Sequence, residues 1–327
     1  MIFSKMLCIH KKFITMSHNC NMDGIGCASD GKPKIKMRRF QQMVRFFKSL
    51  VLGISSLLLI AGTALASGSV VIKGSTTVLP VAQAALEAYM KAHPGINISL
   101  SGGGSGEGIK ALIDKSTDIA NSSREIKSKE VDLAKTKGVD PKAHIVAIDA
   151  IVPIVNPKNK VQELTIDQLS QIYQGKITNW KEVGGEDLKI VVISRDSSSG
   201  TFESWAELVL NKAKVTPRAQ LQASNGAIVQ AISKNRYAIG YIGYGYLNKS
   251  VKALAVGGIQ ATPETALSKQ YPISRPLYMY TDGEPKGEAA GYIRFVLSPA
   301  GQQLVAKQGF VPVTSGAAKK ASPKGKK

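Results

Sequence analysis

Residues 194–205 read SRDSSSGTFESW. They follow the apolar, β-branched run Lys189-Ile190-Val191-Val192-Ile193 and lead into a stretch of helical character from Phe202 to Leu210. The segment is therefore a strand-to-helix turn in which an arginine, three consecutive serines, a glycine and a threonine fall between positions 195 and 201. Three chemistries fit such a turn. A serine is a nucleophile when a base stands beside it. Hydroxyls and backbone N–H groups at a helix start cradle an anion. The same hydroxyls serve as plain caps, because the first N–H groups of a helix have no partner within it.

The same pattern recurs along the chain. Gly74-Ser75-Thr76-Thr77 follows the β-type run Ser69 to Ile72 and precedes helical spacing from Val81 to Ala92. Gly104-Ser105-Gly106 lies between the alternating run Ile96 to Leu100 and a helical stretch from Ile109 to Lys115. Asn121-Ser122-Ser123-Arg124 follows a short strand, Asp118 to Ala120, and lacks the glycine. His144 to Val155 is a long apolar, β-branched run. Thr165 to Tyr173, Asn179 to Val183, Ala227 to Asn235, Gly287 to Gly301 and Gln302 to Gln308 look helical. Strands that alternate with helices predict βαβ units and a mostly parallel sheet. In open sheets of that kind ligands bind beyond the carboxyl ends of the strands. Repetition of the turn on separate units favours a cradle over independent caps, and Arg195 supplies a guanidinium able to grip two oxygens of a tetrahedral anion.

Catalysis fits less well. The chain beyond residue 66 has two histidines, His93 in a helix-ending loop and His144 at the start of an apolar strand, and both read as structural. SSSGT lacks the leading glycine of a nucleophile elbow. Gly103 to Gly108 has the gap of a phosphate-binding loop but is followed by Ile109-Lys110 rather than Lys-Ser/Thr. The tyrosines at 241, 244 and 246 lack basic neighbours and read as packing rather than as a nucleic-acid surface. No His, Cys or carboxylate cluster marks a metal site, and no cofactor is expected.

Of 327 residues, 43% are hydrophobic and 20% charged, enough for two domains with real cores. Met43 to Ala66 reads as a secretory signal peptide. Arg45 and Lys48 form its basic start, Leu50 to Ala61 its apolar core and Ala64-Leu65-Ala66 its cleavage site. Residues 1–42 precede it, hold Cys8, Cys20 and Cys27, and are expected to be a mis-assigned extension with Met43 as the true start. The ten Lys and Arg and two Asp of residues 1–66 account for eight of the twenty positive charges, leaving +12 and no cysteine. Five more lysines lie in the terminal stretch GAAKKASPKGKK, a low-complexity tail. The mild basic excess of the body suits an anionic ligand.

The motifs KGSTTVLPVAQ, SGGGSGEGIKAL, DIANSSREIK, IVPIVNPKN, LSQIYQGKITNWKEVGG, SRDSSSGTFESW, AIGYIGYGYL and LSPAGQQLVAKQGFVPV occur in that order from about Ser69 to Ser315. Together they resemble the periplasmic phosphate-binding proteins of Pst-type ABC uptake systems. The resemblance implies an α/β fold of the two-lobed type II periplasmic-binding-protein kind. Each lobe would be a mostly parallel sheet flanked by helices, and two crossing strands would join them. It places lobe 1 at 67–151 plus 274–318, lobe 2 at 152–273 and a basic tail at 319–327. The crossings fall near Asp149 to Pro153 and Tyr271 to Arg275.

By the same resemblance Thr76, Thr77, Ser105 and Ser123 meet phosphate from one lobe, and Arg195, Ser199, Gly200 and Thr201 from the other. It implies a monomer that is exported to the periplasm, binds inorganic phosphate and serves an ABC permease in the inner membrane. It implies no catalysis and no nucleic-acid partner.

One departure stands out. The best-known members carry an aspartate near Ser123, which accepts the proton of hydrogen phosphate, and a second near Ser197, which partners the arginine. Here both are serine. Asp149 or Asp196 is expected to replace one of them, and Arg124 is a further candidate for the site. The alternatives are a receptor for sulfate, molybdate or tungstate, an exported enzyme acting on phosphate esters, and an adhesion or sensing protein on the same fold.

Overall fold

The computed structural model describes residues 69–313. The extension 1–42, the leader 43–66 and the tail from 319 lie outside the described residues. Among those described, no helix is long and apolar enough to cross a membrane.

The chain opens with β1 (Ser69–Gly74), α1 (Leu79–Ala92), β2 (Asn97–Gly102), α2 (Ser105–Ile113), β3 (Ile119–Ser122) and α3 (Ser128–Thr136). The long β4 (Pro141–Val155) follows, then β5 (Glu163–Leu164), α4 (Ile166–Gln174) and a 3-10 turn at Trp180–Val183. Next come β6 (Val191–Arg195), α5 (Gly200–Leu208), β7 (Gln220–Gln222), α6 (Asn225–Lys234) and β8 (Ala238–Gly243), with a second 3-10 turn at Tyr244–Tyr246. The chain finishes with β9 (Lys252–Ala253), β10 (Ala255–Val256), α7 (Pro263–Leu267), β11 (Ser274–Asp282), α8 (Gly287–Leu297) and α9 (Pro299–Lys307).

The main sheet runs β2-β1-β3-β11-β4-β8-β6-β7, with β9 also on β4. Its two ends are parallel, β1 with β2 and β3, and β6 with β7 and β8. Its centre is antiparallel, because β11 runs against both β3 and β4, and β4 against β8. β4 changes partner part-way: Pro141 to Ala150 pairs with β11, and Ile151 to Val155 with β8. This divides the sheet into two halves.

Core packing follows the same division. One cluster gathers Ile151, Tyr173, Trp180, Trp205, Tyr241 and Tyr271. Another gathers Val70, Ile72, Val81, Leu277, Tyr292 and Phe310, and a smaller one Ile109, Leu112, Val139 and Tyr280. Trp205 stacks on Tyr241 at 4.4 Å with ring planes 7° apart, a geometry worth about 0.5–1.5 kcal/mol beyond burial.

Register brings the turns together. Gly74 lies opposite Gly102 on one side and Asn121 on the other, so the turns after β1, β2 and β3 are neighbours. Arg195 lies opposite Gln222, which sets the turns after β6 and β7 side by side.

The helix expected over 287–301 is cut at Ser298, whose hydroxyl caps α9, with Pro299 in its first turn. Proline lacks the N–H that a continuous helix needs and is tolerated at a new start. Asn179 to Val183 forms only a 3-10 turn. α3 was not anticipated: Ala134 is its one buried residue, so it has no apolar stripe to read.

His144 is half-buried on β4 with Nε2 2.9 Å from Thr281 Oγ1. Burial, with Lys142 adding to it, pulls its pKa from 6.5 down to about 4. The unfolded chain therefore binds a proton that the folded chain refuses between those values, and stability falls as pH drops through that window. His144→Gln is expected to flatten this part of the acid limb in urea unfolding midpoints measured from pH 7 to 4. A variant whose midpoints track the wild type in parallel would assign the limb to other groups.

Candidate functional site

Gly74 closes β1 at φ +133°, and a Cβ there would lie 2.2 Å from Asn121 O. Only glycine lets β1 and β3 approach this closely before the chain turns. The N–H of Ser75 donates to Asn121 O at 2.8 Å, and Ser75 Oγ accepts the Thr77 N–H. Thr76 and Thr77 follow, both buried, ahead of α1. Gly104, at φ +145°, similarly delivers Ser105 to the first position of α2.

Capping does not account for these hydroxyls. Neither α1 nor α2 has a side-chain cap. Ser105 Oγ accepts the N–H of Ser123 at 2.9 Å and lies 3.3 Å from Ser123 Oγ. Thr77 Oγ1 lies 2.8 Å from Thr201 Oγ1, which belongs to the other half. Ser199 is different: its hydroxyl accepts the Phe202 N–H and caps α5. Gly200 then packs so closely that a Cβ would lie 2.2 Å from Ser105 Oγ and 2.8 Å from Ser123 Oγ. Thr76, Thr77, Ser105 and Ser123 thus converge from one half on Ser199, Gly200 and Thr201 of the other.

Arg195 ends β6 at 1% exposure. Its Nε donates to Gln222 O and its Nη2 to Ala223 O, each at 2.9 Å. Its Nη1 is buried with no hydrogen-bond partner. Asp196 stands 3.9 Å from Nη2 and its side chain is a third exposed, so it offsets the arginine only loosely. Asp196 Oδ1 instead accepts from the N–H and hydroxyl of Ser198. Ser197 lies with Arg195 on the wall of an adjoining cavity.

A second arginine, not foreseen as a site residue, reaches the same cleft. Arg275 on β11 is opposite Asp149 on β4, and its guanidinium lies 3.1 Å from Asp149 Oδ2. It donates to Gly200 O at 3.1 Å, to Thr201 Oγ1 at 2.9 Å and to Thr77 Oγ1 at 3.5 Å. Asp149 Oδ1 accepts the Tyr244 N–H at 2.9 Å. Burial pushes Asp149 up to about 6 against the pull of Arg275, and pulls the Arg275 and Arg195 guanidiniums below their usual range. Asp149 is the only carboxylate among the buried polar residues described, alongside Arg124, Arg195 and Arg275.

Two further groups were missed. Asn225 begins α6 and donates to Thr76 Oγ1 and Thr77 Oγ1 at 3.2 and 3.1 Å, while its Oδ1 accepts the Gly243 N–H. In QLQASNGAIV the legible signal was the Ser224-Asn225-Gly226 turn ahead of the helical spacing, not the three-residue strand before it. Tyr246, read as packing, donates its hydroxyl to Thr76 O. Tyr241 does pack, and its hydroxyl also accepts the Arg195 N–H.

Arg124 sits beside the cleft but is committed elsewhere. Its Nη1 and Nη2 grip both oxygens of Glu130 at 2.8 and 2.7 Å, and its Nε lies 2.9 Å from Glu203. The two described histidines are engaged away from these serines, His93 with Tyr89 O and His144 with Thr281. Among the described residues no group of three or more His, Cys, Asp or Glu is placed to hold a metal ion.

Comparison with known proteins identifies the family and the fold. Residues 60–300 match the model of the PBP superfamily domain. Phosphate-binding protein PstS of Bacillus subtilis (strain 168) is 34% identical over 254 residues, covering 76% of this chain and 82% of the relative. PstS of Borreliella burgdorferi is 35% identical over 254 residues, covering 74% and 89%. A Clostridium perfringens structure, named as a phosphate ABC transporter substrate-binding protein with bound phosphate, is 40% identical with a TM-score of 0.71. It covers 76% of this chain and all of that one. An ABC-type phosphate transport receptor from Vibrio cholerae is 31% identical with a TM-score of 0.62, covering 75% and 100%. With its two-lobed α/β architecture of the type II periplasmic binding fold, the chain belongs to the Pst-type phosphate-binding proteins of the PBP superfamily.

Proposed function

We propose that this chain captures inorganic phosphate between its two halves and delivers it to an ABC permease in the inner membrane. It acts as a receptor rather than an enzyme, as a monomer, after export to the periplasm and removal of the leader at 43–66. The lobes are 67–151 with 274–318, and 152–273. The names of the relatives and the phosphate held by the Clostridium perfringens protein support the ligand.

The observation that carries this reading is the charge and donor balance of the cleft. Two buried guanidiniums, Arg195 and Arg275, face one buried carboxylate, Asp149, which is engaged by Arg275. Around them stand the hydroxyls of Thr76, Thr77, Ser105, Ser123 and Thr201 and the start of α5. Arg195 Nη1 is a buried donor without a partner, which costs about 1–3 kcal/mol unless something accepts from it. A tetrahedral oxyanion satisfies it, and each hydrogen bond to a charged group adds about 1.5–3 kcal/mol. Asp149 acts through Arg275, since Arg275 and the Tyr244 N–H engage its two oxygens. Asp196 is the remaining partner for Arg195.

Calorimetric titration with phosphate, sulfate and molybdate tests the reading. Phosphate is expected to bind well below 100 μM, a threshold of about 5.5 kcal/mol, and Arg195→Gln to weaken it about a hundredfold. Lack of phosphate binding at that threshold defeats the proposal. Gly200→Ala is expected to lose about a hundredfold in affinity while its melting temperature holds, because the added methyl meets Ser105 and Ser123 only when the halves approach. Asp149→Asn is expected to weaken phosphate and sulfate by a similar factor. A change in their ratio beyond about tenfold, or 1.4 kcal/mol, would make Asp149 a direct acceptor of the ligand's proton instead.

A further inference from the structure

Arg124 and Glu203 together point to a role that the anion cleft does not use. Arg124 follows Ser123 in the turn between β3 and α3. Glu130 takes two of its guanidinium nitrogens, and the same Nη1 also donates to Glu125 O. These bonds hold the planar group in one orientation, with Nε left facing the other half. Glu203 Oε2, on α5, lies 2.9 Å from that Nε and 2.6 Å from Lys127 Nζ. One carboxylate oxygen of the second half thus bridges two cations of the first. Among the ion pairs of the described residues, these two are the only ones that join the halves.

An acid in the first turn of a helix is ordinary, since the dipole favours it there. Two cations presented to it by another part of the sheet are not. The other contacts across this side of the cleft are neutral: the Gly106 N–H to Ser198 O at 2.9 Å, Ser198 Oγ to Gly103 O at 3.3 Å and Ser204 Oγ to Ser123 O at 3.4 Å. Glu203 sits three residues after Gly200 on the same short helix. The movement that brings the start of α5 onto an anion therefore also brings Glu203 onto Arg124.

We propose that Glu203 is a latch: paired with Arg124 and Lys127, it sets how long the cleft stays shut on its ligand. The proposal rests on the cleft being the phosphate site. Arg124 and Glu203 are 7% and 17% exposed, so their attraction is little screened, whereas Lys127 is 55% exposed and open to salt. A cavity of about 950 Å³ beside the latch, lined by Arg124, Lys127, Phe202 and Glu203, gives ions a route to it. Partners in such partly buried pairs act mainly on dissociation rates.

Stopped-flow measurement of phosphate association and dissociation on wild type and Glu203→Gln tests the latch. Dissociation is expected to be about tenfold faster in the variant, with association changed less than about twofold. Wild-type dissociation is expected to quicken between 20 mM and about 500 mM KCl, and the variant to respond much less. Equal dissociation rates overturn the proposal. Small-angle scattering without added anion separates this outcome from failure of the ligand reading. Glu203→Lys, which sets three cations together, is expected to be more expanded than wild type whatever the ligand is. An unchanged radius of gyration in Glu203→Lys also overturns the latch.

Discussion

The pairing of Arg275 with Asp149 is the interaction on which the rest depends. The two residues face one another across β11 and β4, where β4 leaves one half of the sheet for the other. A buried ion pair contributes little stability on its own, because desolvating both charges offsets their attraction. What it does here is set a geometry. Asp149 is locked by the Tyr244 N–H, Arg275 by Asp149, and the guanidinium then reaches Gly200 O, Thr201 and Thr77. The joint between the halves and the floor of the cleft are one structure. Loss of either partner would leave an unpaired buried charge at the point where both halves meet.

On the proposed reading the cleft would meet an anion chiefly with neutral donors, the hydroxyls of Thr76, Thr77, Ser105, Ser123 and Thr201. Hydroxyls and N–H groups reorient little and carry no charge that must be desolvated anew, while Arg195 and Arg275 give the field its sign. Positions 123 and 197 are serine, so neither adds a carboxylate that would repel a fully deprotonated anion.

Much of this was legible in the sequence, and the reason is local. Strand, Ser/Thr-Gly turn and helix succeed one another within a dozen residues, so the turns at 74–77, 104–106 and 195–201 could be found without knowing the fold. Their common destination was inferable because parallel strands end at one edge. Arg275 was not legible as a site residue. It enters a strand of ordinary appearance, and its role depends on register with Asp149, 126 residues earlier. The two- and three-residue strands β5, β7, β9 and β10 were missed because so few residues show no alternation. For Arg124 the sequence offered a charge beside a serine turn. It did not offer Glu130 and Glu203, which take that charge away from the cleft.

Arg124 and Arg195 show how one residue type divides two tasks. Each is buried, and each follows or ends a strand at the cleft. Arg195 is oriented by two backbone carbonyls, which leave its charge largely intact and one nitrogen unpartnered. Arg124 is oriented by a carboxylate, and a second carboxylate from the opposite half completes its neutralisation. Neutral orienting groups preserve a charge for a ligand, whereas ionic ones spend it on the protein's own contacts. A binding protein that must also release its ligand needs both kinds. Contacts to the ligand alone would tie retention to recognition, so that any gain in selectivity would slow delivery. On the proposed latch, Glu203 shares a helix with Gly200 and Thr201 while its partner Arg124 stands on the other half, so retention could be tuned without altering the hydroxyls and N–H groups of the cleft.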